Sequence, residues 1–181
     1  MRNDRARLVI NHLSVDSPLG DVWLGGTPKG LFCLNIGSVD TEALKDALSG
    51  RGEIAFVRGG AFVEKAAREL RHYLEGGPRK FTVPLDLTGW SPFAKRVWRV
   101  ASRIPSGQVR TYAWVADKVG GPNFARAVGG ALGMNPVPII IPCHRVVGAN
   151  GSVGGFTGGV HLKRWLLEFE AGSQTLPWRE P

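Results

Sequence analysis

Ser91-Pro92 divides this chain. Before it lie short β-like runs mixed with helical ones, and after it the sequence reads mainly as helices. A serine N-cap followed by proline at the first helical position is a strong start signal. Phe93, Ala94, Val97, Trp98 and Ala101 then give the new helix one apolar face. The expected fold class is therefore α+β, in two units of residues 1–88 and 89–181. With 181 residues, 43% of them hydrophobic, the chain can bury one good core or two small ones.

In the first unit, LVINHLSV, DVWLGGT and LFCLNIG are β-branched or aromatic runs punctuated by the turn sequences SPLG and PKG. TEALKDAL predicts a helix and EIAFVRG a strand. Between Ala61 and Glu75, Phe62, Val63, Ala66, Ala67, Leu70, Tyr73 and Leu74 recur at helical spacing. FTVPLDLTGW reads as a linker. Nothing in this unit marks chemistry, and Cys33 reads as a core residue of an apolar strand.

Net charge is +8, and it is unevenly spread. Residues 1–90 carry 12 Lys and Arg against 11 Asp and Glu; residues 91–181 carry 11 against only 4. A near-neutral half joined to a basic half fits contact between the second half and a polyanion, or a surface that merely aids solubility. Two cysteines, Cys33 and Cys143, make no disulfide framework, and the charged start MRNDRARLVINHLS has no apolar signal region. No run of about 18 apolar residues exists, so no membrane helix is expected, and the expected compartment is the cytoplasm, or the nucleus of a cell that has one.

A helix is predicted from Thr111 to about Val119, broken by Gly120-Gly121-Pro122, and a second from about Asn123 to Met134, stopped by Asn135-Pro136. Two short helices across a glycine turn on a basic half fit a helix-turn-helix. In the second, Arg126, Gly129, Gly130 and Gly133 share one face. Glycine costs about 1 kcal/mol relative to alanine inside a helix, so a bare face must allow close approach of something, either another helix or nucleic acid.

Ile139, Ile140 and Ile141, bounded by prolines, predict a buried strand or extended segment that delivers Cys143, His144 and Arg145. A thiol reacts as thiolate, and its reference pKa of about 8.5 has to be lowered by a base or positive charge, which His144 and Arg145 could supply. Adjacent residues point to different sides, so direct contact between Cys143 and His144 does not follow from their being neighbours, and a bridging water between them is open. A working histidine also needs an orienting carboxylate. Glu170, at the C-terminal end of a predicted last helix, lies where the helix dipole disfavours a negative charge, so it is either an ordinary solvated residue or has a second role. Zinc-ligand spacing and the deaminase motifs are absent; a cysteine hydrolase stays open on Cys, His and an acid alone, although its base is normally remote in sequence and it has no need of a basic helix-turn-helix.

The PCHRVV block, the glycine loop after it and KRWLLEFEAG, with ARAVGGALGMNPVPIIIPCHRV and GQVRTYAWVA upstream, resemble the O6-alkylguanine-DNA alkyltransferases, also called methylated-DNA–protein-cysteine methyltransferases. The resemblance is strong over residues 89–172 and looser over SPLGDVWLGGT and KGLFCL. It implies a small N-terminal α/β (RNase H-like) domain and a mainly helical, winged helix-turn-helix-type DNA-binding and alkyl-acceptor domain. Cys143 would accept the alkyl group, His144 would polarise it through a water, Glu170 would orient His144, and Asn135 would brace the turn holding the cysteine. Tyr112 would contact guanine N3 and donate a proton as the base leaves. Arg126 would fill the gap left by a flipped nucleotide, with Gly129, Gly130 and Arg145 also at the DNA. The carbonyls of Cys143 and Val146 would read the exocyclic amine, and the N–H of Thr157 would approach O6. Phe156 stands where some relatives have tyrosine, so a hydroxyl contact is lost there.

The implied partner is double-stranded DNA containing O6-alkylguanine, approached through the minor groove with base flipping, and one alkyl group is taken per molecule. That groove is only about 6 Å wide, which would suit a helix face without side chains. No cofactor and no metal are implied. The expected state is a monomer, with cooperative binding on DNA left open. A non-catalytic damage sensor of the alkyltransferase-like type is the alternative, although such sensors lack the cysteine.

Overall fold

The computed structural model describes residues 7–48, 50, 53–77 and 80–172. They fall into two compact units that divide between Leu87 and Thr88.

The first unit is a four-stranded sheet with one long helix on it. Strands β1 (Arg7–Val15), β2 (Val22–Thr27) and β3 (Gly30–Ile36) form an antiparallel meander. Helix α1 (Thr41–Leu48) then leads to β4 (Glu53–Arg58), which lies parallel to β1, giving the order β3-β2-β1-β4. In the first turn, Ser17 Oγ donates to the Gly20 carbonyl at 2.7 Å. Helix α2 (Ala61–Leu74) buries Val63, Ala66, Ala67, Leu70 and Tyr73, the stripe that its 3.6-residue period defines. Ile10, Val15, Val22, Leu24, Leu31 and Leu34 contribute to the same unit's core.

The expected linker is not free chain over its first part. Leu31 N–H donates to Pro84 O and Asp86 N–H to Leu31 O, both at 2.8 Å, and Thr27 Oγ1 donates to the Asp86 carboxylate at 2.6 Å. A Cβ on Gly30 (φ +151°) would lie 2.5 Å from the Pro84 carbonyl oxygen, so this close approach requires glycine. Residues 82–86 thus belong to the sheet unit, because β3 is an edge strand whose unpaired backbone groups need partners.

The second unit is helical. In α3 (Pro92–Ala101) Ser91 Oγ accepts from Ala94 N–H at 3.1 Å, the N-cap expected from sequence. Thr111 caps α4 (Tyr112–Val119) in the same way, through Trp114 N–H. A 3₁₀ turn at Pro122–Phe124 leads into α5 (Ala125–Gly133), so α4 and α5 form the anticipated helix-turn-helix, with the start of its second helix tightened by the proline. The Trp98 indole N–H donates to the Ala131 carbonyl at 2.9 Å and ties α3 to α5. The wing is minimal: β5 (Arg110–Thr111) and β6 (Val146–Val147) form a two-residue parallel ladder, and glycine-rich residues 148–159 run on to α6 (Val160–Glu170). Since β5 ends at Thr111, immediately before α4, and β6 starts after Arg145, this ladder brings α4 next to the cysteine turn.

Residues 137–141 correct an expectation. The three isoleucines form no strand. They make a tight turn closed by a Pro138–Ile141 bridge, with Ile139 at φ 72°, the one non-glycine residue at positive φ among those described. A β-branched residue in that region is strained. Val137, Ile139 and Ile141 are all at most 1% exposed, so burial of their side chains outweighs that strain. No helix of the described residues is long and apolar enough to cross a membrane.

Candidate active site and nucleic-acid interface

Asn135 builds the cysteine turn. Its Nδ2 donates to Ile141 O at 2.8 Å and to Cys143 Sγ at 3.1 Å, while its Oδ1 accepts Val137 N–H at 3.1 Å. One buried amide therefore closes the strained loop and holds the sulfur. Cys143, His144 and Arg145 follow as a single 3₁₀ turn, in which successive side chains diverge. The Cys143 thiol borders a cleft of about 490 Å³ lined by Tyr112, Gly129, Leu132, Gly133, Gly155, Phe156 and Thr157. Thr157 Oγ1 donates across to the Gly133 carbonyl at 3.1 Å and joins the glycine-rich loop to the end of α5.

His144 is fully buried beneath this surface. Its Nε2 lies 3.1 Å from Glu170 Oε1. The hydrogen bonds that Glu170 receives hold its carboxyl well below the ordinary value against the opposite pull of burial: His144 and Arg145 donate to it, and Arg145 adds its charge. The anion assigns the proton of neutral His144 to Nε2 and leaves Nδ1 as a lone pair. Nδ1 is the one buried side-chain nitrogen or oxygen without a hydrogen-bond partner among the described residues. Burial pushes the His144 pKa down despite Glu170, which keeps the imidazole neutral.

The thiol behaves otherwise than the sequence led us to expect. Burial pushes the Cys143 pKa up, and neither the Asn135 hydrogen bond nor the Lys163 charge reverses this. Cys143 thus rests as a thiol beside a neutral base.

Arg145 is the second correction. Expected at the DNA, it is 6% exposed and fully engaged inside the unit. Its Nε and Nη2 grip Glu170 at 2.9 and 2.7 Å, and its Nη1 donates to Ile104 O at 2.6 Å. A guanidinium fork matches a carboxylate in this bidentate way, and the pairing satisfies a charge that could not otherwise be buried. Glu170 is accordingly no solvated residue, although it ends α6.

The bare helix face is open. A Cβ on Gly130 or Gly133 would meet nothing within 4 Å, and on Gly129 only the Tyr112 ring at 3.9 Å. Close packing against another helix is thereby excluded at these positions. Arg126 projects from the exposed start of α5. Tyr112 is half-buried on the cleft wall, and burial pushes its phenol pKa up. The Val146 carbonyl is already in use, accepting from Lys163 Nζ at 2.6 Å, and Val146 does not line the cleft.

Residues 92–172 match the family described as 6-O-methylguanine DNA methyltransferase, DNA binding domain. Over 162 residues the chain is 40% identical to the methylated-DNA–protein-cysteine methyltransferase of Mycobacterium tuberculosis, covering 90% of this chain and 93% of that protein. This chain belongs to the methylated-DNA–protein-cysteine methyltransferase family. A methyltransferase of the same name from Methanosarcina acetivorans is 36% identical over 159 residues, 86% of this chain and 94% of its own. The fold matches that of Mycobacterium tuberculosis OGT crystallised with DNA, with a TM-score of 0.76, 36% identity and coverage of 91% and 94% of the two chains. The O6-methylguanine-DNA methyltransferase of Pyrococcus kodakaraensis superposes with a TM-score of 0.60 at 29% identity, covering 90% of this chain and 98% of its own.

For a methyltransferase of this family, sequence reading missed two members of the site. Lys163 is 1% exposed, its ammonium 5.7 Å from the Tyr112 ring centroid, and its charge acts on Cys143. The available signal was a lysine in the apolar stripe of α6, next to Leu162 and three residues before Leu166. Gly107 at φ +77° turns its N–H onto Glu170 Oε2 at 3.2 Å, a backbone contact that no side-chain pattern announces. Among the described residues no group of three or more His, Cys, Asp or Glu side chains is placed to hold a metal ion.

Proposed function

We propose that this chain repairs O6-alkylated guanine in duplex DNA by transferring the alkyl group irreversibly to Cys143, one group per molecule. The observation that carries this reading is the cleft: an open cavity, bounded by the cysteine thiol and by a helix face without side chains, backed by a buried neutral imidazole. A base turned out of the duplex has room there, and bulk on α5 would keep the helix from a narrow groove.

The chemistry follows from the protonation states. Cys143 gives its proton towards His144 Nδ1 as Sγ attacks the alkyl carbon; because Sγ and Nδ1 share no hydrogen bond, one bridging water relays it. The S–C bond forms, the C–O6 bond breaks, and its electron pair stays with guanine. Tyr112, a phenol rather than a phenolate, donates a proton to the leaving base, so guanine departs neutral and the proton lost from sulfur restores the balance. Arg126 fills the space in the stack that the flipped nucleotide leaves, and the Thr157 N–H meets O6. The product is a thioether that nothing in the cleft can hydrolyse.

Intact mass of the protein after incubation with an oligonucleotide containing O6-methylguanine tests this. The expected gain is one methyl group, mapped to Cys143, never more than one per chain, and absent in Cys143→Ala, which still binds the DNA. Tight binding with no mass gain would replace the transferase with a damage sensor.

A further inference from the structure

Arg145 does not line the cleft, yet two of its donors and one backbone N–H fix the carboxylate behind His144. Glu170 Oε1 accepts from His144 Nε2 at 3.1 Å and Arg145 Nη2 at 2.7 Å; Oε2 accepts from Arg145 Nε at 2.9 Å and Gly107 N–H at 3.2 Å. The charged groups that act on His144 are Glu170 and Lys163 from α6 and Arg145 from its own turn. Helix α3, packed on the same turn, buries only apolar Ala94, Val97, Trp98 and Ala101.

Without Arg145, the carboxylate facing His144 would lose the guanidinium that compensates its charge. The cheapest way to neutralise it would be a second proton on the imidazole, giving a histidinium–carboxylate pair, and a histidinium has no lone pair with which to accept the thiol proton. With Arg145 bound in bidentate geometry the carboxylate is already compensated, and its oxygens are fully occupied.

We infer that Arg145 is a positioning residue for alkyl transfer: by neutralising Glu170 it keeps His144 an uncharged base with an accepting lone pair on Nδ1, so that Cys143 can be deprotonated at neutral pH. This rests on Cys143 being the acceptor, but its physical core does not. The fork also locks the carboxylate plane, which fixes the imidazole in the Nε2–H tautomer.

The test compares wild type, Arg145→Met and Arg145→Lys in single-turnover transfer from an O6-methylguanine oligonucleotide between pH 5.5 and 9, alongside the ¹⁵N imidazole spectrum of His144. Arg145→Met should slow transfer at pH 7 at least tenfold, recover much of the rate at higher pH, and show His144 doubly protonated at pH 7. Arg145→Lys, which keeps the charge but not the fork, should restore a neutral His144 and part of the rate. Equal slowing at every pH with His144 still neutral would make Arg145 a purely structural residue and overturn the inference. Should Arg145→Met not fold, the wild-type spectrum decides: His144 must be neutral with its proton on Nε2 at pH 7, and an imidazolium there overturns the inference. Because the spectrum needs no DNA, a wild type that transfers no methyl group yet shows this tautomer would sink the transferase reading and leave the Arg145–His144 linkage standing.

Discussion

The two units bury different kinds of residue. Among the described residues of the first, Thr27 is the one buried polar side chain, and the rest of the core is apolar. The second buries Asn135, His144, Arg145, Lys163 and Glu170. Apolar burial stabilises without further conditions, whereas a buried charge is tolerated only while each partner is in place. A domain of this size gains little from ion pairs that hydrophobic residues could replace, so their concentration around one thiol marks where structure is subordinated to chemistry.

Several substitutions would sharpen or break that contrast. The largest effect is expected from Glu170→Ala, which strands Arg145 inside the second unit: stability should fall by about 3–5 kcal/mol in urea denaturation, and transfer should slow. Leu24→Ala, in the sheet core, should cost about 2–5 kcal/mol through the cavity it leaves, yet the folded protein should transfer alkyl groups at the wild-type rate. If Leu24→Ala slowed transfer as severely as Glu170→Ala, the division of labour between the units would be wrong.

Acid should separate the units as well. The Glu170 carboxyl is held below its ordinary value of 4.5 by His144 and Arg145, and His144 below its ordinary 6.5 by burial. In both cases the unfolded chain takes up protons first, so the stability these groups contribute is present above the unfolded values. It falls as pH drops through 6.5 and again through the carboxylate range. A urea midpoint that did not move between pH 7 and 4 would contradict this.

At the DNA face the expected changes in stability are small and those in binding larger. Arg126→Ala, at an exposed position, should change stability by no more than about 0.5 kcal/mol. Its transfer from duplex DNA should be roughly tenfold slower or worse, since flipping costs a few kcal/mol, while transfer from the free alkylated base stays the same. Equal slowing on both substrates would remove Arg126 from the flipping step. Gly130→Ala should raise stability by about 1 kcal/mol, because the helix gains a better former and the new methyl meets nothing, yet weaken duplex binding in a salt titration. A variant that gained stability and kept full affinity would leave the bare face without a use.

Periodicity and capping signals located nearly every element: the meander, the Ser91 cap, both helices of the helix-turn-helix and the buried stripe of α6. These are local, since hydrogen bonds and side-chain spacing within about ten residues dictate them. Cys143 and His144 were legible by residue type, since each carries a chemistry that few residue types can supply, whereas the roles of Asn135 and Glu170 came only with the family resemblance. What required the tertiary structure was every property set by burial and by contacts distant in sequence. The apolar isoleucine run became a strained turn because Asn135 closes it. Arg145 left the expected surface because Glu170, 25 residues later, offers its charge a partner. The resting state of Cys143 reversed because removal from water outweighs a neighbouring cation, a balance that depends on depth, which a sequence does not record.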